Sequence, residues 1–245
     1  MMKEWGLRRL RIIRAVTAAL AVAVTAPALA DTSCSVSTEW QPYYHLELTV
    51  PATFCKEKRR DASCRGFPKP AAIQLHGLWV DYAAGSGDRF PEGSCTETGC
   101  RTGADFCRLP DVPALYRTDA WKKKQGYFAG TEKCLERHEW VKHGSCSPMD
   151  PATWITWSLD TTEAIVTGLA LPVDKPLSRT EFDAAVAARL PELVGAFRLT
   201  CKGGLLVSLS VDYDWGPEPG APRKPRSGKT RFGRCGDGFV IPSRP

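Results

Sequence analysis

The chain contains four histidines, at positions 45, 76, 138 and 143, and three of them sit in two unusual contexts. The first is Ile73-Gln74-Leu75-His76-Gly77-Leu78-Trp79. The second is His138-Glu139-Trp140-Val141-Lys142-His143-Gly144-Ser145-Cys146. Imidazole, with an ordinary pKa of about 6.5, can both give and take a proton near neutral pH. Two segments that each bring imidazole beside carboxylate or ammonium therefore offer general acid–base chemistry.

Taken as a helix at ~100° per residue, the second segment places Lys142 about 40°, Glu139 about 100° and His143 about 140° from His138. Four ionisable side chains then share less than half of the circumference. Trp140 and Val141 fall on the other side, where they can anchor the helix. A solvated helix face accounts for the Lys and Glu but poorly for two of only four histidines. Zinc ligation through H-E-x-x-H needs histidines at i and i+4. Here i+4 is Lys142 and the second histidine is at i+5, so a zinc hydrolase fits badly and no metal site is expected. His45 lies in a strand-like stretch without a motif partner and reads as structural.

The elements that must position these groups are legible in part. Residues 43–50 have the bulk and near-alternation of a strand, and Ala71 to Trp79 is a second apolar stretch, turning at Gly77. Residues 82–113, rich in Gly, Cys, Asp and Pro, read as a disulfide-tied loop region. Residues 131–144 and 152–170 suit helices. Ser178 and Glu181 form a capping box ahead of a further helix. Residues 197–201 and 205–213 read as strands of a hairpin around Lys202-Gly203-Gly204. The segment 216–230 reads as a surface loop. Within 222–234, Arg223, Lys224, Arg226, Lys229, Arg231 and Arg234 occur with no acid, either as a solvated loop or as a phosphate-attracting patch. Helices and strands follow no repeating βα order, which indicates an α+β fold.

The chain has 245 residues, 43% of them apolar, which excludes disorder, collagen and coiled coil. Residues 1–14 carry Lys3, Arg8, Arg9, Arg11 and Arg14 against Glu4, and residues 15–30 are small and apolar, ending Ala28-Leu29-Ala30. This is the pattern of a cleavable secretory signal at 1–30, leaving one domain at 31–245. The apolar run is short for a membrane span. Without the leader, the 33 basic and 27 acidic residues become 28 and 26, so bulk charge alone argues for no nucleic-acid partner. All ten cysteines lie beyond residue 30, irregularly spaced and with no CxxC pair, as in the disulfide framework of an exported protein. Cys55 and Cys64 are close enough in sequence to pair.

HGLW at 76–79, with HEWxKHGxC at 138–146, resembles the two active-site motifs of the ribonuclease T2 family of secreted endoribonucleases. YYHLELTVPATFC at 43–55 resembles that family's first core strand. Val80 stands where the family usually has Pro, and Val141 where it often has an acid. The resemblance implies a central antiparallel sheet flanked by helices and stapled by disulfides. It implies His143 as base and His76 as acid in transphosphorylation of RNA. It implies that His138 contacts the phosphate, that Lys142 stabilises the transition state, and that Glu139 holds a neighbour and helps stabilise pentacovalent phosphorus. Trp79 would stack on the base 5′ to the cut and Asp81 contact it. The resemblance also implies pairing of Cys146 with Cys95, or else with Cys100 or Cys107, and of Cys201 with Cys235. The activity it implies is that of a monomeric endoribonuclease of low base specificity acting on single-stranded RNA. Such an enzyme would need no cofactor, no metal, no protein partner and no membrane after signal cleavage, and would work in the periplasm or outside the cell. The competing reading is a catalytically silent RNA-binding or inhibitory protein of the same fold, which the full set of ionisable positions disfavours.

Overall fold

The computed structural model describes residues 41–82, 112–216 and 222–245. The signal expected at 1–30, nearly all of the loop expected over 82–113, and the expected pairing of Cys146 with Cys95, Cys100 or Cys107 lie outside the described residues. Six strands form one sheet: β1 (Pro42–Thr49), β2 (Gln74–Tyr82), β3 (Pro176–Ser178), β4 (Phe197–Lys202), β5 (Leu205–Asp214) and β6 (Gly238–Val240). Their order is β2-β1-β5-β6-β3, with β4 also paired to β5. The pairings are antiparallel except β5 with β6, which is parallel, so the sheet is mixed rather than purely antiparallel. The three-residue β6 joins β5 at its hairpin end through a single register pair, Leu205 with Val240.

Alternation gives the sheet two different faces. On β1, Tyr44, Leu46 and Leu48 are buried while His45, Glu47 and Thr49 are partly open. On β5, Leu209, Val211 and Tyr213 point the same way as the β1 apolar set, leaving Ser208, Ser210, Asp212 and Asp214 on the other face. A strand's period of two makes this division automatic once one face meets a helix.

That helix is α5 (Pro151–Leu169). Asp150 caps it, Oδ1 accepting from the N–H groups of Ala152 and Thr153 at 2.9 and 3.0 Å, and Pro151 occupies the first turn where no N–H is needed. Its Trp154 is wholly buried and donates from Nε1 to the Leu78 carbonyl at 3.1 Å. Trp157 meets Tyr213 edge-on at 4.9 Å. Four shorter helices precede it among the described residues: α1 (Pro51–Glu57), α2 (Pro113–Arg117), α3 (Asp119–Lys124) and α4 (Leu135–Lys142). After it, α6 (Arg179–Arg189) starts at the capping box, with Ser178 Oγ accepting from Glu181 N–H and Glu181 Oε2 accepting from Ser178 N–H. Phe182 of α6 packs edge-on against Phe197, Phe232 and Phe239. Disulfides join Cys55 to Cys64 and Cys201 to Cys235, and Cys134 is also disulfide-bonded.

Two expected elements differ in ways that matter for the site. The apolar stretch expected to turn at Gly77 is instead a strand from Gln74 that runs straight through Gly77 to Tyr82. In its pairing with β1, Glu47 faces Gly77 and Leu48 faces Leu75, so His76 is the extra residue of a bulge. The helix expected over 131–144 is broken. A 3-10 turn over Thr131–Lys133 ends at Cys134 in the left-handed region, α4 spans Leu135–Lys142, and a second 3-10 turn covers Gly144–Cys146. His143 closes the last helical bond, its N–H to the Glu139 carbonyl at 3.0 Å, but its own backbone (φ −126°, ψ −50°) has left the helix. The helical projection therefore holds for His138, Glu139 and Lys142 and fails for His143.

Trp154 supports both β2 and α4, because it also meets Trp140 edge-on at 5.7 Å. Trp154→Ala is expected to destabilise the fold by about 3–5 kcal/mol, read as a lower urea midpoint at unchanged m-value. A loss below about 1 kcal/mol would show that the cavity refills and that this contact does not support the site.

Candidate functional site

The site is assembled around the carboxyl of Glu139, which is 2% exposed. Trp79 Nε1–H donates to Glu139 Oε2 at 2.6 Å. His76 Nε2 lies 3.5 Å from Oε1, and His143 Nε2 lies 3.9 Å from Oε2. Two imidazoles from segments more than sixty residues apart thus meet at one carboxyl group.

Local sequence explains the convergence. The bulge at His76 turns its side chain away from the regular pleat, a common use of bulges beside active sites. Gly77 comes next because Glu139 needs its space: a Cβ there would stand 2.3 Å from Glu139 Oε2 and 2.4 Å from Trp79 Nε1. The absence of that one carbon lets the carboxyl lie against β2. Gly144 serves the same end on the other segment, since a Cβ would press on Trp140 and Trp154 at 2.5 and 2.9 Å. His143 is thereby drawn onto the sheet as the chain leaves α4.

Burial governs the protonation of the cluster. Desolvation raises the Glu139 carboxyl from its ordinary 4.5 to about 8, against the Trp79 hydrogen bond and the Lys142 charge. Desolvation also lowers all three imidazoles, and the Lys142 ammonium adds to the effect on each. His138 falls to about 4 and His143 far below the usual range. His143 Nδ1 is buried with no hydrogen-bond partner among the described residues. The His76 side chain is 39% exposed, against 13% for His143 and 2% for Glu139. The unliganded site is accordingly built neutral, with Lys142 as the charge beside it.

His138 contributes the third ring, 6.4 Å from His143 and nearly perpendicular to it. With His76 and Glu139, it lines a cleft of about 260 Å³ whose far wall includes Thr49, Phe54, Gln74 and Lys133. These four were not singled out in the sequence. No local pattern marks them, because they come together only through the pairing of β1 with β2 and the turn before α4. Trp79 packs among histidines: its ring is nearly parallel to His45 at 5.4 Å, tilted to His143 at 5.1 Å and edge-on to His76 at 5.4 Å. Asp81 lies two residues on along the same strand, its Oδ2 accepting from Tyr43 Oη–H at 2.9 Å. His45 is held at both ring nitrogens, Nδ1 2.8 Å from Asp212 and Nε2 3.1 Å from Glu47. No cluster of three or more His, Cys, Asp or Glu side chains arranged to hold a metal occurs among the described residues. No helix among them is long and apolar enough to cross a membrane.

A strand-borne and a helix-end imidazole thus stand within 4 Å of one carboxyl beside an open cleft, an arrangement suited to acid–base chemistry. The sequence family whose model matches this chain over residues 41–164 is the ribonuclease T2 family. Ribonuclease I of Escherichia coli (strain K12) is 28% identical over 192 residues, covering 69% of this chain and 70% of that protein. Among solved structures, trichomaglin, described as an S-like ribonuclease, superposes with a TM-score of 0.56 at 20% identity, covering 82% of this chain and 97% of that one. Ribonuclease MC1 from bitter gourd seeds superposes with a TM-score of 0.52 at 15% identity, covering 81% and 99%. The α+β fold is therefore that of the T2 ribonucleases. This chain belongs to the ribonuclease T2 family and is a T2-type ribonuclease.

Because the fold favours a protonated Glu139, its contribution to stability is fully present below pH 4.5 and is lost as the pH rises towards 8. Glu139→Gln keeps the neutral form at every pH. The melting temperature of this variant relative to the parent should therefore climb between pH 4.5 and 8. A difference that stays flat across that window would show that Glu139 is ionised in the folded protein.

Proposed function

We propose that this protein is a metal-independent endoribonuclease of low base specificity. It cleaves single-stranded RNA through a 2′,3′-cyclic phosphate to 3′-phosphate ends. The observation that carries this reading is the meeting of His76 and His143 at Glu139, beside a cleft open to solvent.

His143 takes the proton of the 2′-hydroxyl as O2′ bonds to phosphorus. His76 protonates O5′ as the P–O5′ bond breaks. In the second half, His76 takes a proton from water as the hydroxyl adds to phosphorus, and His143 returns one to O2′. Lys142 supplies the positive charge that offsets charge growing on the phosphoryl oxygens, so the reaction needs no metal ion for that purpose. His138 contacts the phosphate. Glu139, protonated in the resting site, orients both imidazoles and donates to a phosphoryl oxygen as pentacovalent phosphorus forms. Trp79 and Asp81, adjacent on one face of β2, take the base 5′ to the cut. Stacking of that kind tolerates any base, in keeping with low base specificity. Disulfides among the described residues support an oxidising compartment outside the cytoplasm, periplasmic or external, reached through the signal at 1–30. The protein acts as a monomer, with RNA as its macromolecular partner.

Digestion of RNA in EDTA tests the reading. The parent protein should cut RNA, leave DNA intact and accumulate cyclic phosphate ends. His143→Ala should lose about 10²-fold or more in rate while keeping a native fold. Loss of parental activity on chelation would reject it.

Both proton-transfer imidazoles are shifted below 6.5 by burial. His143 therefore stays unprotonated as the medium becomes acidic, while His76 acquires its proton only on the acid side. The kcat/KM profile should accordingly peak below pH 6.5. A maximum above pH 7.5 would mean that different groups move the protons.

A further inference from the structure

The basic segment 222–234 is not a free loop. Its backbone is laced to the strands beside it. Arg226 N–H donates to the Asp212 carbonyl at 2.7 Å and Asp214 N–H to the Lys224 carbonyl at 2.9 Å. Arg231 N–H donates to the Phe197 carbonyl at 2.9 Å and Leu199 N–H to the Arg231 carbonyl at 2.7 Å. Phe232 is seated on Phe182, and Cys235 is bonded to Cys201. At the mouth, Gly228 N–H donates to the Gly195 carbonyl at 3.1 Å. Gly195 is in the left-handed region at φ +73°, and a Cβ on it would lie 2.3 Å from the Gly228 carbonyl oxygen. Two backbones approach that closely only with glycine at this position.

This lacing encloses a pocket of about 190 Å³ lined by Arg198, Arg226, Lys229 and Arg231, with Asp212 as its one acid. Arg198 is paired with Asp212, and Arg226 Nε donates to Asp214 at 3.0 Å while its guanidinium lies over the Tyr43 ring at 4.5 Å. These contacts fix the two guanidinium planes and leave further N–H donors on each, since a guanidinium carries five. Lys229 and Arg231 are exposed and have no carboxylate partner among the described residues. Four cations, two of them held in place, against the carboxylates of Asp212 and Asp214 make a site for an anion.

The pocket shares a sheet face with the catalytic groups. Trp79 is register partner to His45, and His45 to Asp212. Arg198 faces Ser210, two residues from Asp212. From β2 to β4 is three strand steps, about 14 Å at ~4.8 Å each. A strand of RNA with its scissile phosphate at His76 and His143 could cross this polar face and reach the pocket with a phosphate distant from the cut.

We propose that the pocket between β4 and the 222–234 segment binds a backbone phosphate of the RNA strand remote from the scissile bond. It is a subsite that favours long substrates over short ones without reading bases. Phosphate contacts of this kind position the strand and carry no sequence information. The proposal rests on the ribonuclease reading above.

The experiment compares the full-length protein with its Lys229→Ala/Arg231→Ala double variant. Arg198 and Arg226 are left in place so that buried Asp212 keeps its partner. Three readouts are taken: cleavage of a dinucleoside monophosphate, cleavage of single-stranded RNA, and binding of a single-stranded 2′-deoxy-oligonucleotide, which has no 2′-hydroxyl and cannot be cut by this route. Cleavage of the dinucleoside should be unchanged. For the two long ligands, loss of the one phosphate contact should flatten the dependence of log K on log salt by about 0.7. A fourfold rise in salt should then weaken the parent about 2.6-fold more than the variant. Equal salt slopes for parent and variant would overturn the subsite. A parent protein that binds the deoxy-oligonucleotide with the steeper slope but cuts neither RNA nor dinucleoside would instead overturn the ribonuclease reading and leave the subsite standing. Loss of dinucleoside cleavage in the variant would assign these residues to the reaction itself and so reject a remote role.

Discussion

A carboxyl group buried against a strand is costly unless something fixes where it lies and what state it takes. Glu139 is buried at the point where α4 meets β2, with the Trp79 indole N–H as its hydrogen-bond donor and two imidazoles within 4 Å. The cost is reduced by holding the group protonated, which is what its upward shift expresses. Several neighbouring sequence choices depend on this one placement. Gly77 makes room for the carboxyl, the bulge releases His76 beside it, and the helix ends at Lys142 so that His143 can turn back onto it. Gly144 and the Trp140–Trp154 contact then hold that turn in place.

The sheet supplies the larger frame. Its apolar face is covered by α5, and the same alternation that buries Leu46, Leu48, Leu209 and Val211 obliges the intervening residues to form a polar face. On that face, Trp79, His45 and Asp212 are successive register partners, and the His45 ring joins them by stacking on Trp79 and bonding to Asp212. Burial of one face, the main source of stability, thus also sets the spacing of groups on the other.

The candidate site residues are conspicuous in the sequence because it places them in compact runs. HGLW and HEWVKHG stand out by composition, and the Ser178–Glu181 capping box and the Gly203-Gly204 hairpin are read from local rules with little help from tertiary contacts. The features that were not legible depend on contacts between segments. Gly77 suggested a turn when read locally, but it is a close-approach glycine within a strand, and only the neighbouring Glu139 shows why. The break in the helix at His143 is likewise invisible to periodicity, since tryptophan packing sets it. The short β3 and β6, and the Thr49, Phe54, Gln74 and Lys133 wall of the cleft, carry no periodic signal of their own. The parallel placement of β6 depends on where the chain is led after the disulfide at Cys235.

The electrostatics of the resting site acquire a purpose only when a charged substrate is considered. Three imidazoles pushed towards neutrality, a carboxyl pushed the same way and the ammonium groups of Lys142 and Lys133 leave the cleft with a positive bias. A phosphodiester brings a negative charge into this poorly solvated space. Its field raises the proton affinity of every imidazole it approaches, opposing the desolvation that lowered them. In the reaction proposed above, the more open ring, His76, can thereby gain the proton it donates, while His143, also lowered by burial, remains able to accept one. Under that proposal, two chemically identical side chains take different roles through their unequal exposure, and the difference in exposure traces back to one histidine standing on a strand bulge and the other folded in at the end of a helix.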